Sequence, residues 1–202
     1  MVEIVNMSKS FHEKTLFKDY NLKIPDGAFA VIHGKSGTGK TTLLNIIGGL
    51  EKIDDGQVLV NGIDISKKKN KKNFYRYTVG FLFQNFALVD GKTVRQNLEM
   101  VSPTFRTDIS IGDALTSVGL KGFDSKKVYT LSGGEQQRVA LARLMIKKCE
   151  LILADEPTGS LDPENTRMVM NILKNINKEG KTIIIVTHNE EIVRDAEYKI
   201  EL

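Results

Sequence analysis

The chain has 202 residues, 41% of them hydrophobic and 27% charged, which is enough for one sizeable core and typical of a soluble protein. Its net charge of +4 is modest, and no apolar run approaches bilayer-spanning length. The single cysteine, Cys149, excludes an intrachain disulfide and agrees with a reducing cytoplasm, and the N-terminus lacks the basic region and apolar core of a secretory signal.

Residues 1–8 and 15–24 read as strands. The turn Pro25-Asp26-Gly27 then opens a short buried strand over 28–33. Next, Gly34-Lys35-Ser36-Gly37-Thr38-Gly39-Lys40-Thr41 fits the spacing G-x-x-x-x-G-K-[ST], and residues 41–47 read as a helix. A strand, a glycine-rich loop and a helix together wrap backbone N–H groups around phosphate oxygens. Lys40 would neutralise the β- and γ-phosphates, and the Thr41 hydroxyl would ligate Mg²⁺. An ordinary glycine turn before a helix would not need all three elements to agree.

Past the turn Asp54-Asp55-Gly56, residues 57–61 read as a strand, completing a β-rich edge. The run Lys67-Lys68-Lys69-Asn70-Lys71-Lys72 reads as a solvated loop or helix face. No aromatic-and-basic motif accompanies it, so no nucleic-acid partner is expected; contact with anionic lipid beside a membrane partner is the more economical idea. Phe74, Tyr75 and Tyr77 read as packing residues before the apolar strand Val79-Gly80-Phe81-Leu82-Phe83, which ends at Gln84. Residues 93–101 and 108–118 read as short helices.

The segment Leu131-Ser132-Gly133-Gly134-Glu135-Gln136-Gln137-Arg138 carries the sharpest signal. Ser132 with Glu135 three residues on is a capping box, so a helix starts here. Gly133 and Gly134 leave its first N–H groups approachable, which makes an anion site. The helix continues through Val139 to Ile146, apolar enough to bury most of its surface. Strands follow at 150–156 and 182–188, bracketing a helix from Pro163 to Glu179. That alternation predicts an α/β fold with a parallel sheet.

Two phosphate-binding elements about a hundred residues apart are more than one nucleotide needs from one chain. With both present, the chain resembles the nucleotide-binding subunit of an ABC transporter nearly end to end. The resemblance implies a P-loop fold of the ABC ATPase type: a parallel-sheet core, an antiparallel β edge and an inserted helical subdomain. It implies one domain over 1–202, with the core at 1–84 and 150–202 and the signature-bearing helical part at 85–149. It also implies that two copies sandwich two ATP molecules, so that Ser132, Gly133, Gly134 and Glu135 meet nucleotide held by the opposite protomer.

Further roles follow from the resemblance. Gly34, Ser36, Gly37, Thr38, Gly39, Lys40, Thr41 and Thr42 would contact ATP. Asp155, at the end of the apolar run Leu151-Ile152-Leu153-Ala154, would hold Mg²⁺ with Thr41 and Gln84. Glu156 would orient or deprotonate the attacking water, and His188 would bond the γ-phosphate. Asp162 would communicate across the dimer while also capping a helix that has Pro163 at its first position. Phe11 takes the place of a tyrosine stacked on adenine and keeps the π-face. His12 and His33 read as surface or strand-packing residues.

The expected activity is ATP hydrolysis driving a separate integral membrane subunit, with this chain cytoplasmic and peripheral on the inner face of the membrane. The segment 153–162, Gly48-Gly49-Leu50 and residues 83–88 resemble the exporter branch, which includes lipoprotein-releasing, macrolide-efflux and peptide-antibiotic systems. Residues 87–94 resemble lactococcin-type bacteriocin-export ATPases. The chain ends soon after its last strand signal, so the extra C-terminal domain of many importer ATPases is expected to be missing. A soluble ABC ATPase acting on ribosomes or DNA is the alternative; the single cassette, the absence of a heptad run and the lone cysteine count against it. The signature and the Glu156–His188 pair count against a small-molecule kinase, and the intact catalytic set against a silent structural subunit.

Overall fold

The computed structural model describes residues 1–12 and 14–202. Strands β1 (Val2–Phe11), β2 (Lys14–Ile24), β4 (Asp55–Val60) and β5 (Ile63–Asp64) form an antiparallel sheet in the order β2-β1-β4-β5. A second, parallel sheet runs β6 (Val79–Leu82), β7 (Leu151–Asp155), β8 (Thr182–Val186), β3 (Phe29–His33), β9 (Tyr198–Glu201). The helices are α1 (Lys40–Ile47), α2 (Lys68–Asn73), α3 (Val94–Glu99), α4 (Ile111–Ser117), α5 (Gly133–Ile146), α6 (Pro163–Lys178) and α7 (Glu190–Asp195).

The inner strands β7, β8 and β3 are mainly apolar because both faces are covered, whereas the edge strand β9 exposes Tyr198, Lys199 and Glu201. Val31, Ile152, Ala154, Ile183 and Ile185 pack into a cluster with α3, α4, α5 and α6. Their neighbours Ala30, Ile32, Leu151, Leu153, Ile184 and Val186 pack with α1 and the antiparallel sheet. The alternation follows the period of two along a strand. Parallel pairing also brings the carboxyl ends to one edge: Ile32 opposes Val186, Asp155 opposes Val186, and Leu82 opposes Ala154. The segments that follow β3, β6, β7 and β8 carry the phosphate loop, Gln84, Glu156 and His188, so topology alone assembles the edge where the chemistry sits.

Several expected boundaries move. The Asp54-Asp55-Gly56 turn is shorter than expected: β4 begins at Asp55, paired with Ser8, and ends before Asn61, whose φ is 50°. The lysine run forms α2, followed by a π-helical turn over Phe74–Thr78. Within the run Lys67 pairs with Asp64 at 3.1 Å and the Lys71 ammonium donates to the Gly49 carbonyl at 2.6 Å. Phe74 is buried and the Tyr75 hydroxyl donates to the same Gly49 carbonyl, but Tyr77 is exposed on one side and edge-on to Phe105 on the other. The two short helices of the middle segment are also shorter than expected: α3, capped at Thr93 with Gln96 completing a capping box, ends at Glu99, and α4 starts only after its cap Ser110.

Candidate nucleotide site

Gly34, Gly37 and Gly39 all have positive φ, at 139°, 79° and 102°. A side chain at Gly34 would also place Cβ 2.1 Å from the Leu202 carbonyl oxygen, so only glycine fits there. Gly39 precedes α1 in a left-handed conformation, and no side chain caps the helix. Its first N–H groups therefore face the loop, which suits a phosphate. The Lys40 ammonium folds over this loop and donates to the carbonyls of Gly34 (3.0 Å) and Lys35 (2.7 Å). The Thr38 hydroxyl donates to Lys35 at 3.0 Å and fixes the turn.

The Thr41 hydroxyl donates to Asp155 Oδ1 at 3.1 Å, joining the start of α1 to the end of β7. Burial raises the Asp155 carboxyl above its usual range; the Thr41 hydrogen bond opposes that rise, the Glu156 charge adds to it and Lys40 lowers it. A half-buried carboxylate beside a hydroxyl is a hard oxygen pair suited to Mg²⁺. Gln84 is exposed and follows β6, the neighbour of β7, at the same edge.

Glu156 occupies a strained position. Its φ is 45°, a conformation that costs a non-glycine residue about 1–3 kcal/mol and that functional sites tend to hold. Its N–H donates to the Val186 carbonyl at 2.9 Å, pinning the turn to β8. Oε1 lies 2.8 Å from His188 Nδ1, while Oε2 is buried with no partner. A carboxylate only accepts, so Nδ1 carries the hydrogen whenever Glu156 is ionised. Phe11 is 42% exposed with the Lys9 ammonium 4.4 Å from its ring centre. Phe11, Leu16, the phosphate loop, Thr41, Thr42 and Glu156 line one open cavity of about 430 Å³. Of the other histidines, His12 is exposed and His33 ends β3, half-buried.

The second anion element sits elsewhere. Ser132 Oγ accepts from Glu135 N at 3.3 Å, and Glu135 Oε2 accepts from Ser132 N at 2.7 Å, closing the capping box. That backbone bond, more than any other cause, holds the Glu135 carboxyl below its usual range. Gly134 packs so tightly that a Cβ would lie 2.8 Å from Asn165. Asp162 caps α6 through the Asn165 N–H at 2.9 Å, and that bond lowers its carboxyl. Among the described residues, neither Ser132 to Glu135 nor Asp162 lines the cavity of the phosphate loop. Within one chain the phosphate loop and the Ser132–Glu135 turn thus do not line the same cavity.

Residues 17–159 match the sequence pattern of the family described as "ABC transporter". The chain belongs to the ABC transporter family. Over the full chain this cassette is 36% identical to the ABC transporter ATP-binding protein YtrE of Bacillus subtilis, covering 94% of it. It is 42% identical to the methionine import ATP-binding protein MetN of Clostridium acetobutylicum, across 96% of this chain and 63% of that one. It is 36% identical to the macrolide export ATP-binding/permease protein MacB of Campylobacter jejuni, of which it spans 33%. Among solved structures, the dimeric bacterial cassette MJ0796 superposes with a TM-score of 0.89 at 36% identity, covering all of this chain and 94% of that one. The same protein in a post-hydrolysis state bound to ADP and Pi superposes with a TM-score of 0.85 at 35% identity.

Sequence reasoning missed the contacts that tie the cassette's motifs together. The Arg143 guanidinium donates to the carbonyls of Ala87 (2.6 Å) and Phe86 (3.0 Å). Both residues have left-handed backbones, with φ of 47° and 61°. Arg143 therefore clips the loop after Gln84 onto α5, and burial lowers its own pKa. Its only sequence signal was a basic residue within the apolar stretch Val139–Ile146 of α5. Arg143→Met keeps the packing stem and deletes the donors. The loss of two charged hydrogen bonds, each worth about 1.5–3 kcal/mol, is expected to cost a few kcal/mol and speed amide exchange across residues 85–88. Unchanged exchange there would contradict the clip.

Proposed function

We propose that the cassette hydrolyses ATP at a site completed by a second copy of itself and so drives a separate membrane subunit. The observation that carries this reading is the separation of the phosphate loop from the Ser132–Glu135 turn within one chain. A second copy related by a two-fold axis supplies the missing half to each site. The core would comprise 1–84 and 150–202, and the signature-bearing part 85–149.

ATP binds on the phosphate loop with its base against Phe11. Lys40 exchanges two backbone carbonyls for β- and γ-phosphate oxygens, a stronger charge-assisted pairing. Thr41 and Asp155 would hold Mg²⁺, which when bound would neutralise charge on those phosphates. The free N–H groups of Gly133 and Gly134 and the Ser132 hydroxyl close on the γ-phosphate from the other chain. Glu156 Oε2, buried without a partner, accepts a hydrogen bond from the attacking water. Neutral His188 with its hydrogen on Nδ1 has no donor at Nε2. To bond the γ-phosphate the ring takes a second proton or leaves Glu156. Loss of the γ-phosphate removes the contacts that join the chains, so turnover opens the dimer.

No helix among the described residues is long and apolar enough to cross a membrane. The cassette would act from the cytoplasmic face, held there by its membrane subunit. Leu50, Tyr77, Val89 and Met100 are exposed apolar residues, and Val89 follows the loop that Arg143 clips. The 153–162 segment and the resemblance of 87–94 favour an export role for a lipoprotein, peptide or antibiotic. The test is phosphate release from Mg-ATP without an acceptor, together with the identity of the protein that co-purifies. Co-purification with ribosomes or DNA in place of a membrane protein would favour the soluble alternative.

A further inference from the structure

One buried amide joins the signature helix to the segment that carries the water-activating carboxylate. Gln137, on α5, is 1% exposed. Its Nε2 donates to the Pro157 carbonyl at 2.6 Å, and because a carbonyl only accepts, the orientation of the amide is fixed. That orientation leaves Gln137 Oε1 buried with no donor. An apolar side chain of the same size would avoid that penalty, so packing alone does not account for glutamine here. What glutamine adds is the hold on Pro157. Pro157 directly follows Glu156, whose N–H is already tied to β8 through Val186. The strained Glu156 turn is therefore held from two sides, by β8 and by α5. A second link runs in parallel: Arg138 Nη1 donates to Asn165 Oδ1, and Asn165 Nδ2 donates to Asp162 Oδ2 at 2.6 Å.

We propose that Gln137 is a positioning residue for Glu156, keeping the carboxylate aimed at the phosphate cavity of its own chain. This rests on the reading of Glu156 as the water-activating group. Because α5 begins at the Ser132–Gly134 turn, which meets nucleotide across the dimer, Glu156 of one site follows the signature that closes the other. The Gln137 amide of each chain is therefore one link between the two sites, beside the Arg138–Asn165–Asp162 link.

Gln137→Met retains shape and removes the donor. It is expected to lower kcat about tenfold while the KM for ATP stays within about twofold. In a Glu156→Gln background the same change must leave ATP-dependent dimer assembly intact, since the carboxylate it positions is already gone. Gln137→Glu supplies a second reading. Its buried carboxyl donates to Pro157 when protonated and repels that carbonyl when ionised, so its activity relative to the unaltered chain should rise as pH falls. Unchanged kcat in Gln137→Met would overturn the proposal. So would assembly weakened as much as turnover, which places Gln137 in the signature instead. If Gln137→Met does not fold, a pH-independent ratio for Gln137→Glu overturns it. A Glu156→Gln chain that hydrolysed ATP normally would remove the underlying reading rather than this link.

Discussion

Glu156→Gln is expected to abolish nearly all ATP turnover and leave nucleotide binding intact. The substitution keeps the size of the side chain, and its amide oxygen can still accept from His188 Nδ1, now 2.8 Å from Glu156 Oε1. The backbone bond to Val186 is untouched. What disappears is a group able to take a proton from water, and general bases contribute about 10²–10⁴-fold. Every contact to the γ-phosphate remains, so the chains that ATP joins stay joined. Size-exclusion chromatography should show doubled mass with ATP but not with ADP. Turnover above roughly a tenth of the unaltered rate would assign the base elsewhere.

Lys40→Ala acts on an earlier step. Without nucleotide the ammonium is bonded to the Gly34 and Lys35 carbonyls, which face the open loop and can turn to water. Folding should therefore change little. With nucleotide, the same ammonium would pair with the β- and γ-phosphates. Losing charge-assisted bonds worth about 1.5–3 kcal/mol each should weaken ATP affinity at least tenfold. Thermal unfolding reads this directly, because saturating ligand at about 100 times its Kd adds roughly 2.7 kcal/mol. A tenfold loss of affinity in Lys40→Ala cuts that gain to about 1.4 kcal/mol at the same ATP concentration, and a larger loss cuts it further. An undiminished shift would mean that the loop does not hold the phosphates through this residue.

The parallel core was legible because buried strands read as continuous apolar runs, such as Thr182 to Val186, and because caps have local signatures. Ser132 with Glu135, and Asp162 before Pro163, announced α5 and α6 at the residues where they start. Short elements were harder. Helix α2 is built from lysines and asparagines with no buried face, so no periodicity marks it, and the π-helical turn after it has no pattern of its own. The start of β4 was misplaced because Asp55 and Gly56 favour turns locally, yet cross-strand pairing with β1 holds Asp55 extended. The phosphate loop was legible as a spacing, but the left-handed backbone of Glu156 was not, since nothing local demands it. Gln137 to Pro157 spans 20 residues and Arg143 to Ala87 spans 56. Side chain–to–backbone bonds of that reach leave no trace in a linear pattern.

The two-chain site is tested most directly by the steady-state rate of ATP hydrolysis per chain across a dilution series at saturating Mg-ATP. If each site needs the Ser132–Glu135 turn of a partner, the rate per chain falls in proportion to concentration once the dimer dissociates, and mass measured in the same samples falls with it. A rate per chain that stayed constant down to concentrations where only single chains remain would contradict it.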